Sequence, residues 1–280
     1  MADWNADQYL KFRAQRTQPA VDLAEKIGLA NPETILDIGC GPGNSTAVLR
    51  KKYPNAKILG IDVSENMIET AKKTYPDIEF LLLDAGKDLD KLNRTFDAAF
   101  SNACIQWIPN HRALIPSMLS VLNEGGVLAV QMPMNYDEPI HQIIGRLAAS
   151  DRWREKLGTP RVFHNLPQGE YFDLLAEHAS DFTMWQTTYF HRMASHDAIM
   201  EWYSGTGLRP YLNALADEAD RARFYKEVFD WRETDTAGRW SDAYPENVLL
   251  GSDDPNSLYE AVAECYQTQK SEIDHLIALL

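Results

Sequence analysis

Residues 36–46 read LDIGCGPGNST. Gly39, Gly41 and Gly43 fall within five residues, directly after a short apolar run. Glycine at this density marks a backbone that turns tightly and passes close to something. Outward from it the chain has a rhythm. TILDIG (34–39), KILGID (57–62), EFLLLD (79–84), FDAAFSN (96–102) and GVLAVQM (126–132) each read as a buried strand. Helical stretches at 45–53, 64–75 and 112–122 lie between them, and 21–28 reads as a helix leading into the first strand. Ser64 is placed to cap its helix, with Glu65 in the first turn. Pro54 and Pro76 stop two of the helices. Apolar strands alternating with helices predict an α/β fold, a doubly wound Rossmann-like parallel sheet.

After Met132 the rhythm breaks. Residues 135–207 carry aromatics, histidines and helical fragments, with one alternating strand candidate, FTMWQTTYF, at 182–190. They read as a mainly helical insertion covering the carboxyl end of the sheet. Beyond Trp231 the sequence is acidic and shows no confident strand; 257–280 reads as one helix interrupted near Thr268. The expected division is a core at 1–134 with an N-terminal lid, a cover region at 135–230 with a returning strand, and an atypical acidic segment at 231–280.

Composition narrows the function. Of 280 residues, 45% are apolar and 24% charged, as in ordinary soluble domains. No apolar run is long enough to span a bilayer, and the start, MADWNADQ, lacks a basic leader. Cys40, Cys104 and Cys265 are far apart, which points to a reducing cytoplasm and away from a disulfide framework or zinc site. A net charge of −14 argues against nucleic acid. Nine of those fourteen charges come from residues 213–280, with 15 acidic and 6 basic side chains. The rest of the chain is only mildly acidic, so a small anionic substrate is compatible with it.

In an open parallel sheet, ligands bind outside the carboxyl ends of the strands, where this glycine loop falls. Its spacing is G-x-G-x-G, one residue shorter than the dinucleotide fingerprint, and no Lys-Ser/Thr pair follows, which excludes a P-loop. Asp62 ends the second strand, where a carboxylate accepts both hydroxyls of an unmodified ribose. Asp84, followed by Ala85, ends the third, where it meets an adenine amino group. Asn102 ends the fourth, and Asp37 precedes the loop, near a cationic ligand group. Ribose, adenine and positive charge without phosphate describe S-adenosylmethionine. Met67 reads as core or as a lid on the adenine, and Cys40 as a small residue filling the turn.

The segments LDIGCGPGNST, GIDVSENMIETA and DAAFSNACIQWIPNH resemble class I S-adenosylmethionine-dependent methyltransferases. More narrowly, DWNADQYLKFRAQRTQPAVDL, VLAVQMPMNYDEPIH, TTYFHRM and TGLRPYL resemble the trans-aconitate 2-methyltransferase family, over about residues 3–225. The resemblance implies methyl transfer to a carboxylate of trans-aconitate or a close relative, giving a monomethyl ester. It also implies that the N-terminal segment with Tyr9, Phe12 and Arg16 folds over the cofactor. The family's late antiparallel strand, rich in Phe, has no counterpart legible in 231–280.

A carboxylate is already ionised at neutral pH and needs no general base, so no catalytic acid or base is expected. Positioning and exclusion of water would do the work. Candidate substrate-binding donors are Gln106 and Trp107 after the fourth strand, Asn135 and His141 after the fifth, then His191, Arg209 and Tyr211. Arg209 is the best anion clamp, because GLRPYL sets it in a turn among apolar residues. No close-spaced His/acid pattern suggests a metal. Three rivals stand beside this reading: a methyltransferase for another small acceptor, an NAD-dependent oxidoreductase, and a non-catalytic S-adenosylmethionine-binding module.

Overall fold

The computed structural model describes residues 13–136, 138–158, 163–189, 196–234 and 273–279. Five parallel strands alternate with helices: β1 (Thr34–Ile38), β2 (Lys57–Asp62), β3 (Glu79–Leu82), β4 (Phe96–Asn102) and β5 (Leu122–Pro133). Helix α1 (Arg13–Lys26) precedes them. Helices α2 (Asn44–Lys52), α3 (Glu65–Thr74) and α4 (His111–Leu119) connect them. The sheet is completed by β6 (Asp181–Thr187) and β7 (Ile273–Leu279), giving the order β3-β2-β1-β4-β5-β7-β6.

The last strand corrects the sequence reading. Ile273–Leu279 is not the end of a helix but an antiparallel strand lying between β5 and β6. Its register runs from Val127↔Leu279 to Pro133↔Ile273 on one side and from Asp181↔Leu279 to Thr187↔Ile273 on the other. The spacing of Ile273, Leu276 and Ile277 satisfies a helical period. An interior strand needs no strict alternation, and pairing on both edges satisfies its backbone.

The chain divides into two compact units. The described residues of the first fall within Met1–Pro133, Phe163–Thr187 and Ile273–Leu280, and those of the second within Met134–Val162 and Thr188–Glu272. Residues 163–187 thus belong with the sheet, not with the cover region. In the first unit, α1 buries Ala20, Leu23 and Ala24, and Ile27 just beyond it continues the stripe, against Ile35, Ile58, Phe100, Val127 and Ala129 of the strands.

The second unit is helical in its described residues: α5 (Pro139–Ala149), α6 (Asp151–Leu157), α8 (His196–Ser204), α9 (Arg209–Ala214) and α10 (Glu218–Thr234). The helix α7 (Gln168–His178) packs in the sheet unit instead. Trp153 and Phe224, both fully buried, meet edge to face at 5.1 Å in the core of the second unit. The Trp153 indole N–H donates to Glu227 at 2.7 Å, so burying this large ring leaves no orphan donor. Among the described residues, no helix is long and apolar enough to cross a membrane, and no cluster of three His, Cys, Asp or Glu is arranged to hold a metal.

Candidate active site

The glycine loop leaves β1 with φ of 74° at Gly39, 54° at Gly41 and 94° at Gly43. At Gly39 a Cβ would stand 2.1 Å from the Cys104 sulfur, so both conformation and space demand glycine. At Gly41 a Cβ would meet nothing within 4 Å. Its left-handed backbone borders open space, as a ligand cradle requires. The Gly39 and Cys40 N–H groups donate to the Ile61 carbonyl at 2.8 and 3.0 Å, tying the loop to the end of β2. Cys40 is buried, and burial first, then the nearby Asp37 and Asp62 charges, pushes its thiol well above the usual range. It is an inert filler of the turn.

Asp62 stands at the end of β2, and its two oxygens accept from the N–H groups of Gly41 at 3.0 Å and Ser64 at 2.8 Å. Ser64 in turn caps α3, accepting from the Met67 N–H at 3.3 Å; Met67 itself is buried. Asp84 follows β3, accepting from the Gly86 N–H at 2.9 Å and the Lys87 ammonium at 2.7 Å; Ala85 beside it is buried.

Asp37 is fully buried on β1. One oxygen accepts from the hydroxyls of Ser45 at 2.8 Å and Thr46 at 2.6 Å, while Oδ1 has no partner. Desolvation outweighs these hydrogen bonds and raises its pKa to about 6. Asn102 at the end of β4 also keeps a buried Oδ1 without a partner, and so does Gln106, in the short helical turn Ile105–Trp107, through Oε1. Asn44, the first residue of α2, has an unpartnered buried donor, Nδ2. Among the described residues, the sheet unit therefore carries four buried acceptor oxygens without a hydrogen-bond partner in the protein, on Asp37, Asn102, Gln106 and Asn165, and one such donor, on Asn44. Buried polar groups without a protein partner are rare in native proteins and are satisfied by ordered water or by a ligand. A zwitterion with a further cationic centre fits this set. S-adenosylmethionine has that character.

The predicted acceptor-side residues divide between the two units. In the sheet unit, the Trp107 ring meets Phe163 edge on at 4.7 Å, and the Gln106 carbonyl accepts from the His164 N–H at 2.8 Å. In the second unit, His141 lies edge to face with Tyr203 at 5.3 Å. Burial lowers the His141 pKa to about 4, so the ring is neutral at physiological pH. Gly207 makes room for it, since a Cβ there would stand 2.7 Å from the imidazole. Asn135 has a buried Oδ1 without a partner. Arg209 is the first residue of α9 and half-buried. Tyr211 stacks on Phe224 at 6.0 Å and packs with the apolar core, and burial raises its hydroxyl pKa.

Arg16 lies on α1. His191, Tyr9 and Phe12 lie outside the described residues. Sequence reasoning singled out His164 but gave no role to His111 or Tyr171. His111 and Tyr171 are joined by a hydrogen bond between residues 60 apart in sequence, and no local pattern announces such a contact.

A methyltransferase-domain family profile matches residues 35–126, the span from β1 into β5. A coclaurine N-methyltransferase structure superposes with a TM-score of 0.55 at 15% identity, covering 94% of this chain and 72% of that one. Loop, strand-end acids, sheet order and profile together define an S-adenosylmethionine-dependent methyltransferase of class I fold. A trans-aconitate 2-methyltransferase of Methylobacterium radiotolerans is 42% identical over 228 residues, 80% of this chain and 86% of that one. One from Escherichia coli is 43% identical over 221 residues, 78% of this chain and 84% of that one. The chain belongs to the trans-aconitate 2-methyltransferase family.

Proposed function

We propose that the protein transfers the methyl group of S-adenosylmethionine to one carboxylate of trans-aconitate, giving the monomethyl ester and S-adenosylhomocysteine. The observation that carries the acceptor is kinship over four-fifths of the chain with proteins named for that reaction. Asp62 takes the ribose hydroxyls, with Gly39, Gly41 and Gly43 allowing close approach. Asp84 and Ala85 hold the adenine, with Met67 beneath it. Asp37 and Asn102 face the ammonium and Asn44 the carboxylate; Arg16 is the further cofactor contact that the family resemblance implies. The orphaned atoms on Asp37, Asn102 and Asn44 support this orientation of the amino-acid end.

The reaction is an in-line displacement. The acid's oxygen forms a bond to the methyl carbon as the carbon–sulfur bond breaks, and the electron pair stays on sulfur. Cation and anion neutralise one another, so a drier site favours the step. No proton has to move. The protein must hold the acid without quenching the attacking oxygen. Arg209 supplies permanent charge; His141, neutral when free, supplies one N–H; Trp107, Asn135, Tyr211 and His191 complete the donor set. Among the described residues, Cys40 and Cys104 form no disulfide, which suits a reducing cytoplasm. The small acid is the only partner this reading requires.

The test is transfer of labelled methyl to trans-aconitate, cis-aconitate, citrate and isocitrate. Base-labile label on trans-aconitate in preference to the others is expected. Cofactor binding without transfer to any acid would move the function to another acceptor or to binding alone.

A further inference from the structure

Gln106 was expected among the donors for an anionic substrate, and its surroundings argue otherwise. The side chain is 3% exposed. Its Nε2 donates to the Ala103 carbonyl at 2.8 Å, which fixes the orientation of the amide: nitrogen toward Ala103, oxygen away from it. That leaves Oε1, buried and without a partner. A buried amide oxygen repels a carboxylate, whereas it attracts a group carrying positive charge.

The residue is also held from behind. The Gln106 carbonyl accepts from the His164 N–H at 2.8 Å, and the Ile105 carbonyl from His111 Nε2 at 2.8 Å. With its proton on Nε2, His111 accepts through Nδ1 from the Tyr171 hydroxyl, whose oxygen accepts from the Leu166 N–H at 3.1 Å. His111 and Tyr171 are both 1% exposed. Burial lowers the His111 pKa, in keeping with the neutral ring that this chain of hydrogen bonds needs. Nearby, Cys104 rests against Gly39 of the glycine loop, so the turn carrying Gln106 starts at the cofactor cradle.

We propose that Gln106 is a cofactor-side residue whose carboxamide oxygen faces the methylsulfonium group, and that His111 and Tyr171 are positioning residues that hold it there. With Asp37 and Asn102 proposed above for the ammonium, the sulfonium is the cationic centre that remains for Gln106. The inference rests on the methyltransferase reading but not on the identity of the acid. S-adenosylhomocysteine lacks the sulfonium charge and the methyl group, so the two ligands separate this role from a structural one.

Calorimetric titrations of S-adenosylmethionine and S-adenosylhomocysteine into wild type, Gln106→Met and Tyr171→Phe provide the test, with thermal melts as a check on folding. Gln106→Met is expected to weaken S-adenosylmethionine roughly two- to fivefold and to leave S-adenosylhomocysteine nearly unchanged, the loss of a C–H···O contact between the carboxamide oxygen and the methylsulfonium. Tyr171→Phe shifts the same ratio by a smaller factor. Equal weakening of both ligands in both variants would overturn the proposal. So would unchanged affinities together with a raised KM for the acid, which would return Gln106 to the substrate side. No part of this test uses acid turnover except that last arm, so a failed trans-aconitate reading leaves the ligand ratio interpretable.

Discussion

The two units of this chain use polar and aromatic side chains in opposite ways. In the sheet unit, polar groups are buried at strand ends and left unfinished: Asp37, Asn102 and Gln106 each keep an oxygen without a partner. In the helical unit, Asn135 alone among the described residues keeps such an oxygen, and the largest side chains finish one another. Trp153 meets Phe224 edge to face and donates to Glu227. Unfinished polarity marks a place built for a ligand, whereas completed packing marks a core. An aromatic-rich region is thus a weaker sign of a binding site than a single orphaned oxygen.

Substitutions in the two units should separate these roles. Trp153→Ala should cost the most stability, about 3–5 kcal/mol by chemical denaturation, because it leaves a cavity and an unpartnered Glu227 oxygen. Gly39→Ala should cost about 3 kcal/mol, from left-handed strain and collision with Cys104. Adding Cys104→Gly should recover part of that loss, because only the collision is relieved. Gly41→Ala, with the same backbone strain but open space, should cost roughly 1 kcal/mol in stability while weakening cofactor binding.

The Asp37 carboxyl offers a pH test of the unfinished site. Its folded pKa of about 6 lies above the reference value of 3.8. The folded protein therefore holds more protons than the unfolded chain between those values, and stability falls as pH rises through that window. The shift corresponds to about 3 kcal/mol, a penalty absent in Asp37→Asn. Binding of a cation at Oδ1 favours the ionised form, so affinity for S-adenosylmethionine should drop about tenfold from pH 7 to pH 5. In Asp37→Asn that dependence should flatten. A cofactor affinity independent of pH in wild type would remove Asp37 from the ammonium site.

Much of this was legible in the sequence. LDIGCGPGNST and the apolar runs after it set the five parallel strands, because a strand buried on both faces announces itself as a continuous apolar stretch. Asp62 and Asp84 were readable because strand ends are fixed by the same runs. Ile273–Leu279 was not readable: its apolar spacing suits a helix, and only pairing with β5 and β6 makes it a strand. Gln106 was visible as a polar residue after β4, but which end of its amide is free depends on the Ala103 carbonyl. His111 and Tyr171 meet across 60 residues, a relation that no spacing rule contains.

The division of labour itself is tested most directly by titrating S-adenosylmethionine into Asp62→Asn and Arg209→Ala side by side. Asp62→Asn should weaken the cofactor about tenfold, since a neutral amide replaces the ribose acceptor. Arg209→Ala should bind it as wild type does, with its defect confined to the KM for trans-aconitate. Equal cofactor affinity in both variants, or a loss confined to Arg209→Ala, would contradict the assignment of Asp62 to the cofactor and Arg209 to the acid.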